Sequence, residues 1–304
     1  MWHIGEREVF MGFISVAETA KKWGVSERSV RNYCAEGRVP GAFLTGKTWN
    51  VPDDAAKPER AGKRDSRSLG LLAVLQAEKR GNVPGGIYHM VQIELTYNSN
   101  HMEGSRLTQE QTRFIFETNT LGVADGAVRA DDVVETANHF KCVDMVIEHA
   151  ARPLSETFVK ELHRTLKNGT SDARKEWFEV GGYKRLPNTV GDMPTAPPEE
   201  VPVRMREFID ACNTREALSF DDLLDLHHRF ERIHPFQDGN GRVGRLLLFR
   251  ECLRRGIVPF IIGLKFYYYR GLKEWERDRA YLRDTCLTAQ DALKKMLDYF
   301  RIPY

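Results

Sequence analysis

The chain has 304 residues, 41% of them hydrophobic, and a formal net charge of +2. This length predicts one large domain with a smaller one, and the hydrophobic content excludes wholesale disorder. The near-neutral charge excludes a global field that would attract a polyanion, so any contact with nucleic acid has to be local.

The apolar runs and the cysteines bear on location. The longest apolar runs, residues 69–77 and 258–266, are too short to cross a bilayer, and the first ten residues lack the apolar core of a signal peptide. The cysteines are odd in number and scattered, which is typical of reduced thiols and unlike a disulfide framework or a CxxC zinc site. These features predict a cytoplasmic protein without a membrane partner; the cysteines are Cys34, Cys142, Cys212, Cys252 and Cys286.

Residues 1–56 predict a helix-turn-helix domain. Ser15 and Glu18 form a capping box at the start of one helix. A turn that contains Gly24 separates this helix from a second one, which stops at Gly37. A helix, a short turn and a helix in this order are the helix-turn-helix pattern.

The end of this domain and its second helix suggest a partner. Residues 41–52 read as two short strands that turn at Gly46 and Lys47, as in the wing of a winged domain. Residues 1–52 carry seven Lys or Arg and five Glu, a net charge of +2, which is a modest footprint for DNA. DNA is one expected partner, and docking of target proteins is the alternative. The side chains suited to phosphates or base edges are Arg28, Arg31 and Asn32.

Residues 57–68 separate the small domain from residues 69–304. They are dense in charge and lack large apolar side chains, which predicts a solvated linker or the frayed start of a helix. The larger part reads as helices. Ser219 caps one of them, and another runs from Gly241 to about Arg255.

The strongest functional signal is the segment 234–245, which reads HPFQDGNGRVGR. Its glycines open a helix, so backbone amides and the helix dipole can converge on an anion. Arg242 and Arg245 lie three residues apart on one helix face and can both reach phosphates. Asp238 is a hard oxygen ligand suited to Mg²⁺, and His234 can accept a proton near neutral pH. Each feature alone has a structural explanation, but their joint occurrence favours a reactive site.

The segment 234–245 matches the signature of the Fic family, HxFx(D/E)GNGRxxR, at every defined position, and residues 69–304 resemble a Fic domain. The resemblance implies a mainly α fold, a Fic-type helical bundle with a β-hairpin flap, beside the small N-terminal winged helix-turn-helix domain. It implies a Mg²⁺-dependent protein adenylyltransferase. Such an enzyme moves AMP from its co-substrate ATP to a Ser, Thr or Tyr hydroxyl of a target protein or of itself.

The resemblance also assigns roles within the signature. His234 would deprotonate the target hydroxyl, which attacks the α-phosphorus of ATP, and Asp238 would hold Mg²⁺. Asn240 and the neighbouring amides would stabilise the α-phosphate, and Arg242 and Arg245 would take the β- and γ-phosphates. The nucleotide-binding residues implied in this segment are Gly239, Asn240, Gly241, Arg242, Gly244 and Arg245.

Two further segments resemble parts of Fic domains. Residues 181–202, here called the flap segment, are rich in Gly and Pro, which excludes a long helix and predicts a hairpin or lid. Lys184 stands where the family has Arg, so the register of the implied flap residues Asn188, Thr189 and Val190 stays open. Residues 268–272 resemble the stretch that lines the adenine pocket. Tyr269 is the expected contact there, and ordinary core packing is the alternative.

Residues 99–104, SNHMEG, resemble the inhibitory motif (S/T)xxxE(G/N) of regulated Fic proteins. The motif would end an inhibitory helix over about residues 90–104. Its carboxylate, on Glu103, would pair with Arg245 and take the place of the γ-phosphate, so ATP would bind unproductively. Ser99 lies one turn earlier and would orient Glu103.

Several alternatives stay open. A DNA-binding transcriptional regulator whose Fic core senses nucleotide without turnover would not need the base His234, which the chain retains. Related domains transfer UMP or phosphocholine, or phosphorylate; the phosphorylating branch has Lys at the position of Gly241, so phosphorylation is the least expected. Removal of AMP from modified targets is also chemically open. The target and the oligomeric state stay open as well, with a homo-oligomer among the alternatives.

Overall fold

The structure is a computed structural model that describes residues 12–35, 39–46, 48–58, 70–122, 127–191, 193–214 and 218–304. The chain divides into two compact units, Met1–Asp65 and Ser66–Tyr304. Within the described residues, no helix combines the length and the apolar character that a membrane span requires.

The smaller unit combines two helices with a three-stranded antiparallel sheet. Its elements in chain order are β1 (Phe13–Ser15), α1 (Val16–Trp23), α2 (Glu27–Ala35), β2 (Phe43–Thr45) and β3 (Thr48–Pro52). Strand β3 lies between β1 and β2, with Ile14 opposite Val51 and Leu44 opposite Trp49. Trp23 of α1, Val30 of α2 and Val51 of β3 pack together in its core.

Local signals of the smaller unit are confirmed. Ser15 and Glu18 form the predicted capping box, and Gly24 ends α1 in the left-handed conformation, with φ +63°. Strands β2 and β3 are the predicted hairpin, whereas β1 was not predicted because three residues are too few for an alternating pattern. Gly37, Lys47 and most of the predicted linker lie outside the described residues. The winged helix-turn-helix assignment stays a prediction.

The larger unit is mainly helical. Its elements follow one another as α3 (Leu71–Gly81), α4 (Ile87–Met102), α5 (Gln109–Thr118), α6 (Ala130–His149), α7 (Glu156–Lys167), a 3-10 turn (Asp172–Arg174), β4 (Thr189–Val190), β5 (Met193–Pro194), α8 (Val201–Thr214), α9 (Phe220–Ile233), α10 (Asn240–Arg255), α11 (Lys265–Glu274) and α12 (Ala280–Phe300).

Helix α10 lies at the centre of this unit. It contacts α3, α4, α6, α7 and α9, and its residues from Arg242 to Leu253 are buried without exception. A helix that is covered on all sides needs partners for its charged side chains as well as for its apolar ones. The arginines of α10 therefore have to find acceptors on the surrounding helices.

The predicted boundaries around α10 are confirmed. Ser219 caps α9 through a box with Asp222, and Gly256 ends α10 in the left-handed conformation. The flap segment contains the predicted hairpin, in which Thr189 lies opposite Pro194 and Val190 opposite Met193. Helix α4 begins at Ile87, three residues before the predicted start of the inhibitory helix.

Candidate active site

His234 ends helix α9. Its backbone is left-handed, with φ +49°, and its N–H donates to Phe230 O at 2.9 Å. The following residue, Pro235, disfavours helical backbone at His234, so the helix stops there. The imidazole is therefore held at the junction between α9 and the loop that leads into α10.

The imidazole of His234 is set up as a neutral base. Burial, followed by the nearby Lys184 ammonium, lowers its pKa to about 4. Nδ1 of His234 is buried, and a hydrogen bond with the Glu231 backbone acts on the imidazole. A histidine with this pKa is uncharged at neutral pH, so one nitrogen of its ring can accept a proton.

The loop before α10 is held by side-chain contacts. Phe236 is buried and stacks on His163, with ring centroids 3.9 Å apart and planes 4° from parallel. Asn240 Oδ1 accepts from Phe236 N–H at 2.8 Å, and Asn240 Nδ2 donates to Phe236 O at 2.7 Å. The carboxamide of Asn240 thus closes the loop, and contact with an α-phosphate by this residue stays a prediction.

Asp238 carries a stabilised negative charge on this loop. Its Oδ2 lies 2.6 Å from Lys167 Nζ and 3.3 Å from Arg242 Nη2. Burial alone would raise the pKa of Asp238, but Arg242 and Lys167 lower it to about 2. The side chain is 48% exposed, so an ionised carboxylate faces solvent at the mouth of the site.

Three carboxylates offer oxygens for a cation at this place. Atoms of Glu135, Asp172 and Asp238 lie within 4.8 Å of one another. Lys167 Nζ contacts all three, at 2.6 Å from Glu135, 2.7 Å from Asp172 and 2.6 Å from Asp238. The ammonium therefore offsets part of the negative charge of the cluster. Asp238 is the exposed member. Since Mg²⁺ is commonly held by one or two carboxylates together with substrate phosphates, the site fits Mg²⁺ at Asp238.

The two signature arginines are buried but have different partners. Arg242 Nη1 donates to Glu135 on α6, and Nη2 reaches Asp238. Arg245 Nη2 donates to Glu103 Oε1 at 2.7 Å, while Arg245 Nη1 is a buried donor without a partner among the described residues. An unpaired guanidinium nitrogen next to a carboxylate is suited to a second anion.

Ser99 contacts the arginine and not the carboxylate that it was expected to orient. Its Oγ accepts from Arg245 Nε at 3.0 Å, and its carbonyl oxygen accepts from Arg245 Nη2 at 2.9 Å. Ser99 and Glu103 lie one helical turn apart, so both can reach one guanidinium from the same side. Together they hold Arg245 against the C-terminal end of α4.

Glu103 caps α4 directly above the start of α10. A Cβ on Gly241 would lie only 2.3 Å from Glu103 Oε1, so a larger residue at position 241 would displace the carboxylate from this place. Burial would raise the pKa of Glu103, but Arg245 and Arg242 lower it overall. The carboxylate is therefore ionised, and it lies where the backbone amides of α10 begin.

Tyr269 lies at the same end of the site. It packs against Tyr268, with ring centroids 5.2 Å apart, and burial and the Glu103 carboxylate raise its pKa to about 12. Tyr268 is fully buried and shares a hydrogen bond with His227 at 2.6 Å. Of the two rings, Tyr268 belongs to the core, and Tyr269 is half-buried beside Glu103 and Arg245.

The flap segment runs along the signature loop. Lys184 N–H donates to Pro235 O at 2.8 Å, and Asn188 Nδ2 donates to Phe236 O at 3.0 Å. Leu186 N–H donates to Gln237 Oε1 at 3.2 Å. These contacts place strand β4, with the predicted flap residues Thr189 and Val190, next to the loop that carries His234.

Known proteins are similar to this chain in both sequence and fold. Residues 153–251 match the model of the Fic/DOC family. The chain is 28% identical over 185 residues to the protein adenylyltransferase Fic of Nematostella vectensis, over 59% of this chain and 42% of the relative. It is 27% identical over 256 residues to the protein of the same name from Drosophila willistoni, over 79% and 47%. The chain thus spans less than half of the length of these relatives.

Solved structures share the fold. A Fic domain containing signalling protein from Bacteroides thetaiotaomicron has a TM-score of 0.58 and 26% identity, over 75% of this chain and 94% of that one. Fic-1 from Caenorhabditis elegans has a TM-score of 0.58 at 21% identity, over 76% and 72%, which bears on the fold alone. The chain is thus related to the Fic/DOC family through residues 153–251.

Two residues that support the Fic signature were not predicted. His163 and Lys167 lie four residues apart on α7, one helical turn, in the sequence LHRTLK. Gly181 N–H donates to His163 Nδ1 at 2.9 Å, so His163 Nε2 carries the hydrogen and donates to Asp238 O at 3.1 Å. Helix α7 thus holds both the backbone and the carboxylate of Asp238. Their i, i+4 spacing is the only local signal, and it also occurs on many ordinary helices.

Proposed function

We propose that this protein is a Mg²⁺-dependent protein adenylyltransferase that moves AMP from ATP onto a Ser, Thr or Tyr hydroxyl. The observation that carries the proposal is His234, a neutral imidazole at the end of α9, directly before the loop that leads to the N-terminus of α10 with its buried Arg242 and Arg245. The named relatives are protein adenylyltransferases, which supports the same reaction class.

The residues present suit an in-line transfer. The imidazole of His234 accepts the proton of the target hydroxyl, the hydroxyl oxygen forms a bond to the α-phosphorus, and the bond to the pyrophosphate oxygen breaks with its electron pair. The amides at the start of α10 and Arg245 stabilise negative charge on the phosphates. Mg²⁺ on Asp238 would supply further neutralisation of that charge.

We propose that Glu103 inhibits this transfer. Its carboxylate occupies Arg245 Nη2 and covers Gly241, at the position where the backbone amides of α10 would otherwise meet a phosphate. An ionised carboxylate at this place repels the terminal phosphates and removes one of their donors. ATP would then be displaced from the pose in which its α-phosphorus faces His234.

The test is intact-mass measurement of the full chain incubated with ATP and Mg²⁺. Glu103→Gly should carry more AMP units per molecule than the unchanged chain. The double variant Glu103→Gly, His234→Ala should show no added AMP, because removal of a general base lowers the rate by about 10²–10⁴-fold. Glu276→Gly, an exposed position outside the site, is the matched control and should behave like the unchanged chain. An unchanged rate in Glu103→Gly would remove the inhibitory role, and transfer without His234 would remove the base.

DNA binding by the smaller unit is a second candidate function. Arg28, Arg31 and Asn32 are all exposed on α2, where a groove-reading helix would present them. Arg31 is paired with Glu27 at 2.6 Å, which reduces the charge that it offers to a phosphate. Binding of a target protein by the same surface is the competing assignment.

A further inference from the structure

Lys184 is a buried cation at the start of the flap segment. Its side chain is held by three neutral oxygens: Nζ donates to Asn188 Oδ1 at 2.7 Å, to Thr195 Oγ1 at 2.6 Å and to Ile233 O at 3.4 Å. Lys184 is 4% exposed, and no carboxylate of the described residues forms an ion pair with it. A cation buried in this way is costly and is kept only where its hydrogen bonds are satisfied.

The three acceptors belong to different parts of the fold. Asn188 directly precedes β4, Thr195 directly follows β5, and Ile233 is the last residue of α9. One ammonium therefore joins both ends of the hairpin to the residue before His234. The carbonyl end of α9 carries partial negative charge, which favours a cation at this position.

The hairpin has few other ties to α9. Ala196 N–H donates to Arg232 O at 3.3 Å, and Thr195 Oγ1 lies 2.6 Å from Asn188 Oδ1 within the hairpin itself. A two-stranded hairpin of this length is marginal without tertiary contacts. The position of β4 relative to His234 is therefore set by the Lys184 side chain together with the bonds of Asn188 and Leu186 to the signature loop.

We propose that Lys184 is a positioning residue that sets the register between the flap hairpin and His234. The inference rests on the proposed transfer to a protein hydroxyl: an extended target chain would add to the outer edge of β4, and its hydroxyl would then face the imidazole of His234. Lys184 touches neither the arginines nor Asp238, so its loss should change the approach of the protein hydroxyl and leave nucleotide binding intact.

The experiment uses the full chain with Glu103→Gly as the parent. Lys184→Met keeps a long apolar stem and removes the ammonium, whereas Lys184→Arg keeps the charge and its donors. Lys295→Met, at an exposed position of α12, is the matched control. Self-modification is followed in single turnovers at saturating ATP, binding of a fluorescent ATP analogue is titrated, and amide hydrogen exchange is measured over residues 186–196 and over α10.

Lys184→Met should slow transfer by about 10-fold or more, since small misplacements of reacting groups have effects of that size. Its affinity for the ATP analogue and the exchange of α10 should match the parent, and amides of residues 186–196 should exchange faster. Lys184→Arg should recover most of the transfer rate. Parent-like exchange in the flap, or equal losses of analogue binding and transfer in Lys184→Met, would overturn the proposal.

Two further arms separate this proposal from the transferase itself. If Lys184→Met does not fold, Thr195→Val removes one acceptor without a new buried charge and should give the same pattern in milder form. If the Glu103→Gly parent transfers no AMP, the proposed function fails, while hydrogen exchange still decides whether Lys184 holds the hairpin.

Discussion

At the scale of single residues, burial decides what each histidine can do. His163 and His227 are fully buried, and burial lowers the pKa of each to about 3, so they act as neutral hydrogen-bonding groups. His234 is half-buried, with a pKa of about 4, at the loop that leads into α10. The same side chain thus serves as packing in two places and as a candidate base in the third.

The lowered pKa of His234 predicts an unusual pH profile. Since the base is the neutral imidazole, single-turnover transfer by Glu103→Gly should stay near its neutral-pH rate as the pH falls through 6.5 and should decline towards pH 4. Loss of Glu103 favours the neutral form further, because that carboxylate raises the pKa of His234. The measurement is a rate series on protein whose circular dichroism is unchanged at each pH. A half-maximal rate near 6.5 would show an imidazole with an ordinary pKa.

At the scale of elements, helices α9 and α10 meet at Gly244. A Cβ at this position would lie 2.4 Å from Glu231 Oε1 and 3.0 Å from Phe230 Cδ1. Glycine within a helix costs about 1 kcal/mol relative to alanine, so its presence here needs a reason. The reason is the close approach of α9, whose last residue precedes the candidate base. Contact of Gly244 with the nucleotide stays a prediction, and its described neighbours are side chains of α9.

Gly244→Ala should therefore lower the free energy of unfolding by about 1–3 kcal/mol, the usual effect of overpacking, despite the better helix propensity of alanine. Urea unfolding followed by circular dichroism measures the change. Gly81→Ala, at the exposed end of α3, should shift stability by less than about 1 kcal/mol. A higher free energy of unfolding in Gly244→Ala would mean that α9 moves to accommodate the methyl group without loss of stability.

At the scale of the whole molecule, two compact units differ in what their sequences reveal. The larger unit contains the signature, and its proposed function rests on the buried charges around α10. The smaller unit has a core of a few residues and an exposed set of Arg28, Arg31 and Asn32 on α2. The function of the smaller unit depends on whether those side chains bind DNA or a protein.

DNA binding by the full chain should fall steeply with salt if α2 contacts phosphates. Filter binding of a random-sequence duplex over a salt series should give a negative slope in log affinity against log salt, and Arg28→Gln should reduce that slope by about 1. Arg277→Gln, an exposed arginine of the larger unit, should leave it unchanged. If the fraction of duplex retained on the filter does not change with salt concentration, a protein partner for the smaller unit is favoured.

Much of the fold was readable because its signals are local. The capping boxes at Ser15 and Ser219 and the left-handed glycines Gly24 and Gly256 depend on residues within one turn, so a short window contains everything that they need. The signature loop is similar, since Asn240 closes it through Phe236, four residues away. Strand β1 escaped prediction because its partner, β3, lies more than thirty residues further along the chain.

The sequence by itself therefore determined the helices, the loop and the chemical groups of the candidate site. The resemblance also predicted the pair of Arg245 with Glu103, but only the tertiary structure decided that Arg242 meets Glu135 and that Lys167 meets Asp238. Each of these pairs joins residues that lie at least seventy positions apart. A buried charge takes whichever partner packing brings within reach, and that depends on how α4, α6 and α7 surround α10.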